Sequence, residues 1–540
     1  MWADARWQRD DFKRTLEQRL NLGYGKQQNV SQRMLMKNPV ELLENLNVAI
    51  YCESGLEYPG EAPYSPHIKY PEYPLKHIGE KANSVYDAFR QTLLLLGLDR
   101  ENFGRPNWSP LKEIIQPGNT VVIKPNFVLD RHDEGGDLFS IITHPSVIRA
   151  VIDYVYLALE GKGKIIIADA PQMDCDFDNL LQKTGLRYIQ ELYRRELGFE
   201  VEVYDLRDFW YDVKKAKRAK AAYTKYRLKL PGDPKGRIVV SLGRESLFYG
   251  INSQNFYGAD YDRTEVIRYH NGEVQEYVMS KTVLSADVVI LLPKLKVHKK
   301  VGVTLNVKGL VGAVVNKNCL VHYRLGTATE GGDQFPEGVL SKKERMVVKL
   351  QRLAYDLLLS HRHPVTDAMY ELAARAARLF FKGLGMEVRS HPRLLDGGNW
   401  YGNDSAWRMA VDLYRIFLYA DQEGQLHSRP TRRVFSIIDG IIGGEGNGPL
   451  VPTSKKCGVL IAGFNPCAVD IVATRLMGFD YNKIKMLSYL VAHPELFKTS
   501  VDKIVVRSNQ VEYKDLLKPD NRKRYLNFEP PPGWRGFVEI

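Results

Sequence analysis

The feature that most constrains this chain is a repeated order of elements. Short, β-branched, largely apolar runs alternate with amphipathic stretches from about residue 84 to 204, and again from Asp287 onward. Apolar strands linked through helices imply a mostly parallel sheet covered on both faces, since a parallel neighbour needs a long crossover and a doubly buried strand has no polar face. The spacing predicts helices over Val85–Leu98, Ser146–Glu160 (introduced by Pro145) and Leu180–Leu197. It predicts strands over Val48–Cys52, Thr120–Ile123, Lys164–Ala168 and Val201–Tyr204. Polar residues follow the strands at once: Lys124-Pro125-Asn126, then Asp169, then Asp205. Parallel sheets bind ligands at the carboxyl ends of their strands, so these residues stand where a site is expected.

The rest of the chain divides around this core. Residues 1–45 read as a helical extension, with helical periodicity over Asp10–Leu20 and a helix start at Asn38-Pro39. Residues 46–212 hold the first part of the core, including a Pro- and Tyr-rich run from Tyr58 to Pro74 that reads as an ordered wrap. Residues 213–284 read as a β-rich insertion, with alternating patterns around Ile238–Leu242 and Glu265–Tyr277 and a turn at Asn271-Gly272. A core segment over 285–316 precedes a mostly helical insertion or cap over 317–430. Residues 431–515 return to the core with strand Val434–Ile438, a glycine-rich loop, strand Gly458–Ala462 and helix Ala468–Met477. Residues 516–540 form a tail. The expected class is therefore α/β: a mostly parallel sheet flanked by helices, with a β-rich and a helical insertion.

Charge narrows the partners. Lys and Arg number 76 against 64 Asp and Glu, a net +12 that favours anionic ligands. Local runs such as Lys214, Lys215, Lys217, Arg218 and Lys220 read as solvated faces. No aromatic–basic interleaving of the RNA-recognition kind and no zinc-finger spacing occurs, so nucleic acid is not the expected partner. Cys52, Cys175, Cys319, Cys457 and Cys467 are scattered without a CxxC pair, which excludes a disulfide framework and an iron–sulfur run. The apolar stretches at Thr92–Leu96 and Val288–Leu292 are too short to span a bilayer, and the charged start lacks an apolar signal region. A cytoplasmic location is the expectation.

Four constellations carry chemistry. In Leu292-Pro293-Lys294-Leu295-Lys296-Val297-His298, followed by Thr304, Asn306 and Lys308-Gly309, a buried strand ends in cations, which suits phosphate or carboxylate. Asp439-Gly440 and Gly443-Gly444-Glu445-Gly446-Asn447-Gly448-Pro449 pair carboxylates with backbone free to approach a ligand, but match no Walker or dinucleotide spacing. Asn465-Pro466-Cys467-Ala468-Val469-Asp470 opens a helix. Gly397 to Arg408 carries Trp400, Asn403 and Asp404, a set suited to a sugar or a metal, and also to an Asx cap beside core tryptophans. Val321-His322-Tyr323-Arg324 reads as a loop over the site.

With these motifs in order, the chain resembles the family called domain of unknown function 362. The matching pieces are Val122-Ile123-Lys124-Pro125-Asn126, Thr143-His144-Pro145, Ala286-Asp287-Val288 with Pro293 to His298, Val303-Thr304 with Lys308-Gly309, Asp439-Gly440 with Glu445-Gly446 and Gly448-Pro449, and Pro466 with Ala468 to Asp470. Many members carry a ferredoxin-like cysteine cluster, which this chain lacks. A more distant similarity links it to the lactate-racemase-like enzymes, whose nickel-pincer nucleotide is attached to a lysine ten positions after a histidine. His298 and Lys308 have that separation, although Asn306-Val307 replaces the Gly-Gly pair those enzymes place there.

The residues then assign as follows. His298, Lys308, Lys296 and Glu445 are expected to act in catalysis. Lys124, Asn126, Lys294, Thr304, Asn306, Trp400 and Asn403 are expected to bind substrate. Asp439, Glu445, Asp470 and Asp404 are the candidate ligands of a divalent metal, the cofactor being otherwise unassigned. The expected activity is that of an enzyme on a small anionic substrate bearing phosphate or carboxylate, with a sugar as one option. The alternatives are a nickel-pincer-type racemase or epimerase and a non-enzymatic binder of nucleic acid or an acidic partner.

Overall fold

The apolar runs form the strands of the computed structural model, which describes residues 36–212, 227–258, 263–341, 397–518 and 524–540, with isolated positions between 342 and 396. The expected helix at Asp10–Leu20, the basic run 214–220 and, apart from isolated positions, the stretch 342–396 of the helical insertion lie outside the described residues. In chain order the core elements are β1 (Asn47–Cys52), α1 (Ser84–Leu95), β2 (Thr120–Pro125), α2 (Pro145–Leu159), β3 (Lys164–Asp169), α3 (Leu186–Leu197) and β4 (Val201–Asp205). The inserted segment contributes β5 (Arg237–Ser241) and β6 (Val274–Ser280). Then follow β7 (Val288–Leu292), β8 (Lys294–His298), β9 (Gly302–Val303), α4 (Leu305–Gly309), α5 (Ala406–Tyr419), β10 (Arg433–Glu445), β11 (Thr453–Gly463), α6 (Pro466–Met477) and β12 (Val505–Ser508).

The central sheet runs β12-β1-β11-β10-β7-β2-β3-β4. From β4 to β10 every pairing is parallel, while β11 runs antiparallel to both β10 and β1. Alternate residues serve two cores. Val122, Ile166, Val289 and Leu291 join the core that contains α5 and α6. Val121, Ile165, Val288 and Ile290 join the core under α1, α2 and α3. Both faces are thus covered, which is why these strands carry no polar face.

The site depends on what happens past the sheet edge. Leu292 of β7 is level with Pro125, the last residue of β2. After Pro293 the chain continues as β8 along the far half of β10, with Lys294 opposite Asp439 and Lys296 opposite Gly444. The first part of the expected glycine-rich loop is therefore a continuation of the strand: β10 runs to Glu445 and pairs with β11 from Ser436 to Glu445, with an irregularity between Gly440 and Ile442. The glycines serve close approach. A Cβ on Gly440 would lie 2.6 Å from Val459 and 2.9 Å from Leu295, and one on Gly444 would lie 2.5 Å from the Ser140 carbonyl oxygen.

Two further expectations are corrected. The helix over Leu180–Leu197 breaks at Gly185, whose φ of +64° ends Phe177–Thr184 before α3 begins. The alternating pattern over Glu265–Tyr277 begins as a helix, Arg263–Tyr269, and only its second half forms a hairpin, His270–Asn271 with β6. The wrap from Tyr58 to Pro74 lacks regular structure but buries Tyr64, Tyr70 and Tyr73. Among the described residues no helix is long and apolar enough to cross a membrane.

Gly444→Ala is expected to lower stability by about 1–3 kcal/mol, because the new methyl meets a backbone oxygen that cannot rotate away. Urea unfolding of the variant against the parent measures it; an unchanged midpoint would show that the β8–β10 extension tolerates a side chain there.

Candidate functional site

A cavity of about 690 Å³ opens at the carboxyl edge of the parallel strands. Asn126 follows β2, Asp169 ends β3, Lys296 and His298 lie on β8, and Thr304 and Lys308 lie at α4. Lys317 and His322, from the segment after α4, join the polar lining with Lys299 and Lys300, and Arg131, Asp133 and Asp174 line it as well. Five of the residues expected from the sequence to act in catalysis or binding thus share one cavity: Asn126, Lys296, His298, Thr304 and Lys308.

The other expected residues stand elsewhere, each with its own partners. Lys294 and Asp439, both fully buried, form an ion pair at 3.0 Å. Tyr58 accepts a hydrogen bond from Lys294 Nζ and donates one to Asp439, each at 2.6 Å, and the His144 N–H donates to the same carboxylate. Lys124 is paired with Asp169 at 2.9 Å. Glu445 pairs with Lys455 and accepts the Glu529 N–H. Asp404 is held by Arg324, Arg408 and the Trp407 indole. Trp400 donates to the Asp333 carbonyl, and Asn403 caps α5 through Ser405 and Ala406 while binding the His322 carbonyl. The four carboxylates expected to hold a metal are thus committed to four separate environments. Among the described residues no three His, Cys, Asp or Glu side chains come together in a metal-holding group.

Asp470 and Asn306 do a different task from the one expected. The buried Asp470 carboxylate accepts the backbone N–H groups of Asn306 and Val307 at 2.9 Å each, and the Asn306 amide at 2.7 Å. Ser436 donates to Asn306 Oδ1 at 2.7 Å. This grip fixes the start of α4, where Leu305 holds a φ of +44°, a conformation costly for a side chain of its size. The short helix then carries Lys308 into the cavity wall.

The electrostatics follow from burial and like charge. Burial lowers Lys308 to about 7, and no described residue accepts a hydrogen bond from its Nζ. Lys317 is likewise lowered to about 7, chiefly by burial, with Lys124 and Lys308 adding to the effect and Asp169 opposing it. Lys296 is pushed well below the usual lysine range by burial and by Lys294 and Lys308, while its Nζ donates to the Ile141 carbonyl at 2.7 Å. Burial first, then Lys308 and Lys300, hold both His298 and His322 far below the usual imidazole value, so both are neutral. Their tautomers differ. His298 Nδ1 accepts the Lys300 N–H, which leaves the proton on Nε2. His322 Nδ1 donates to the Leu320 carbonyl, which leaves Nε2 as an acceptor.

Lys317 was legible in principle. It follows the apolar run Val314-Val315 as Lys124 and Lys294 follow theirs, but the boundary drawn at residue 316 cut it off. Tyr58 and His144 stack at 3.9 Å next to the Lys294–Asp439 pair; His144 stands in the matching piece Thr143-His144-Pro145 without a role assigned to it, and Tyr58 had no such signal.

The fold and this edge define the class of the molecule: an α/β protein with a mixed central sheet and a lysine- and histidine-lined cavity at its strand ends. The model of the family described as domain of unknown function (DUF362) matches residues 121–226 and 232–475, and the chain belongs to that family. No curated protein and no solved structure matches the chain.

An amine lowered to about 7 reacts with acylating reagents where ordinary lysines are protonated. At pH 7.5, peptide mapping after brief treatment with an amine-directed reagent is expected to find Lys308 modified ahead of the exposed lysines, with a rate that levels off above about pH 8. The folded-state value lies below the unfolded one, so stability tied to Lys308 is present above the unfolded pKa and lost as pH falls through about 7. A thermal midpoint that rises from pH 7 to 9 in the parent, and rises less in Lys308→Met, is the second expected readout.

Proposed function

We propose that the cavity binds a small anionic substrate and that the protein is an enzyme performing proton transfer on it. The observation that carries this reading is the absence, among the described residues of the cavity lining, of a carboxylate without a cation already paired to it. Lys296, Lys308 and Lys317 line one cavity, and the carboxylates beside them are already paired: Asp169 with Lys124, and Asp133 and Asp174 with Arg131. Lysines protonated in a buried wall without a counter-charge are costly, even where a carbonyl accepts a hydrogen bond from the amine, and an anionic ligand relieves that cost. The lysines hold the anion, His298 offers a proton from Nε2, and His322 accepts one at Nε2.

The sugar option rested on Trp400 and Asn403, neither of which lines the cavity, and the proposal keeps only the anion. A metal is not needed for it. The nickel-pincer alternative is supported only by the shared cavity of His298 and Lys308. Asn306 and Val307 stand where the paired glycines would be, and Asp470 takes their N–H groups, so no glycine cradle lies beside the lysine. For a nucleic-acid binder the cations would face outward, whereas these lie in a cavity wall.

Thermal stabilisation by sulfate or phosphate tests the reading. Millimolar anion is expected to raise the melting temperature of the parent, and Lys308→Met or Lys296→Met to weaken binding at least about tenfold, as loss of a charge-assisted hydrogen bond implies. Equal stabilisation of parent and variants would sink the assignment.

A further inference from the structure

We propose, resting on the anion reading above, that the ligand is an organic phosphate monoester: a dianionic tetrahedral head held by Lys296, Lys308 and Lys317, with an apolar body lying against Val128, Met173, Tyr211 and Leu450. Three features of the cavity select this class.

The first is number and direction of charge. Of the five lysines in the lining, the three that are buried, Lys296, Lys308 and Lys317, come from three elements: β8, α4 and the turn Lys317–Cys319. Each is a compact point charge without the planar fork by which arginine clamps a carboxylate. The one arginine among the described lining residues, Arg131, is engaged by Asp130, Asp133 and Asp174. Lysines gathered from several directions suit three or more oxygens around a tetrahedral centre, and a single carboxylate would leave two of them without a counter-charge.

The second is size. About 690 Å³ lies within the range of roughly 300–1,000 Å³ that encloses a ligand of some tens of atoms, and far exceeds a bare phosphate. The third is the wall facing the remaining space. Val128, Met173, Tyr211 and Leu450 bring apolar surface, and the loop after β3 is fixed to its neighbours by Ala170 N–H to Gly312, Gln172 N–H to Val128 and Tyr211 N–H to Met173. A wall held by backbone hydrogen bonds on both sides is formed before the ligand arrives.

Calorimetry on the full chain with four probes tests the proposal: phenyl phosphate, inorganic phosphate, benzoate and acetate. Phenyl phosphate is expected to bind about tenfold or more tightly than inorganic phosphate, as burial of one ring implies, and at least about tenfold more tightly than benzoate. Lys317→Met is expected to weaken both phosphates alike, and Tyr211→Ser to weaken phenyl phosphate alone, with Leu450→Ser as a second variant of the same wall. Benzoate matching phenyl phosphate would overturn the dianionic head while leaving the anion reading intact. Inorganic phosphate matching phenyl phosphate would overturn the apolar body. Binding of none of the four would remove the anion reading itself, and this proposal with it.

Discussion

The buried pair of Lys294 and Asp439 is the constraint on which the rest of the site turns. A lysine and an aspartate with no exposure gain little net stability as a pair, but removing either strands the other, at a cost of about 3–5 kcal/mol. Tyr58 satisfies both partners, and the His144 N–H satisfies the carboxylate again. The pair locks β8 to the far half of β10 at the point where β2 has already ended. Lys296 and His298, two and four residues further on, then have only one place to be. The cationic end of this strand is legible in the sequence; that its first lysine is the anchor and its later residues the working surface is not.

A second grip acts from the opposite side. Asp470 on α6 takes the first free N–H groups of α4, and Ser436 on β10 takes Asn306. Lys308 is thereby held in a wall where no described residue accepts a hydrogen bond from its amine. The lowered pKa values of Lys308, Lys317, Lys296, His298 and His322 are consequences of this placement: neutral forms are favoured because the fold removes water and supplies no anion. Ligand charge and protein protonation are coupled in such a cavity, since an incoming anion makes it favourable for the lysines to regain protons.

The α/β alternation was readable because strands buried on both faces must be apolar and short, and Thr120–Ile123, Lys164–Ala168 and Val201–Tyr204 fall within one residue or two of the strands formed. The strand β10 was read too short because glycine-rich sequence usually signals a turn; here the glycines make room for Leu295, Val459 and Ser140, contacts that no local pattern encodes. The carboxylates were misplaced for a related reason. Asp439, Glu445, Asp470 and Asp404 look alike as sequence motifs, and only three-dimensional packing shows that a lysine, a second lysine, a helix start and an arginine pair respectively claim them. Trp400 and Asn403 belong to structure-holding hydrogen bonds, which an Asx cap reading of Asn403 already allowed.

The pairing of β7 with β10 has a consequence for how the chain is made. Val288–Leu292 meets Arg433–Ser436 across the whole helical insertion, so on the ribosome one side of this apolar strand waits, unpaired, until that insertion has been synthesised. At roughly 5–20 residues per second the delay is on the order of ten seconds, during which the strand is a template for pairing with any other exposed edge. The lysines that follow it, Lys294 and Lys296, sit at the end of that open edge. While the strand is unfinished, their mutual repulsion with the same residues of a neighbouring chain works against association; once β10 arrives, Lys294 is claimed by Asp439 and Lys296 becomes part of the lining of the cavity.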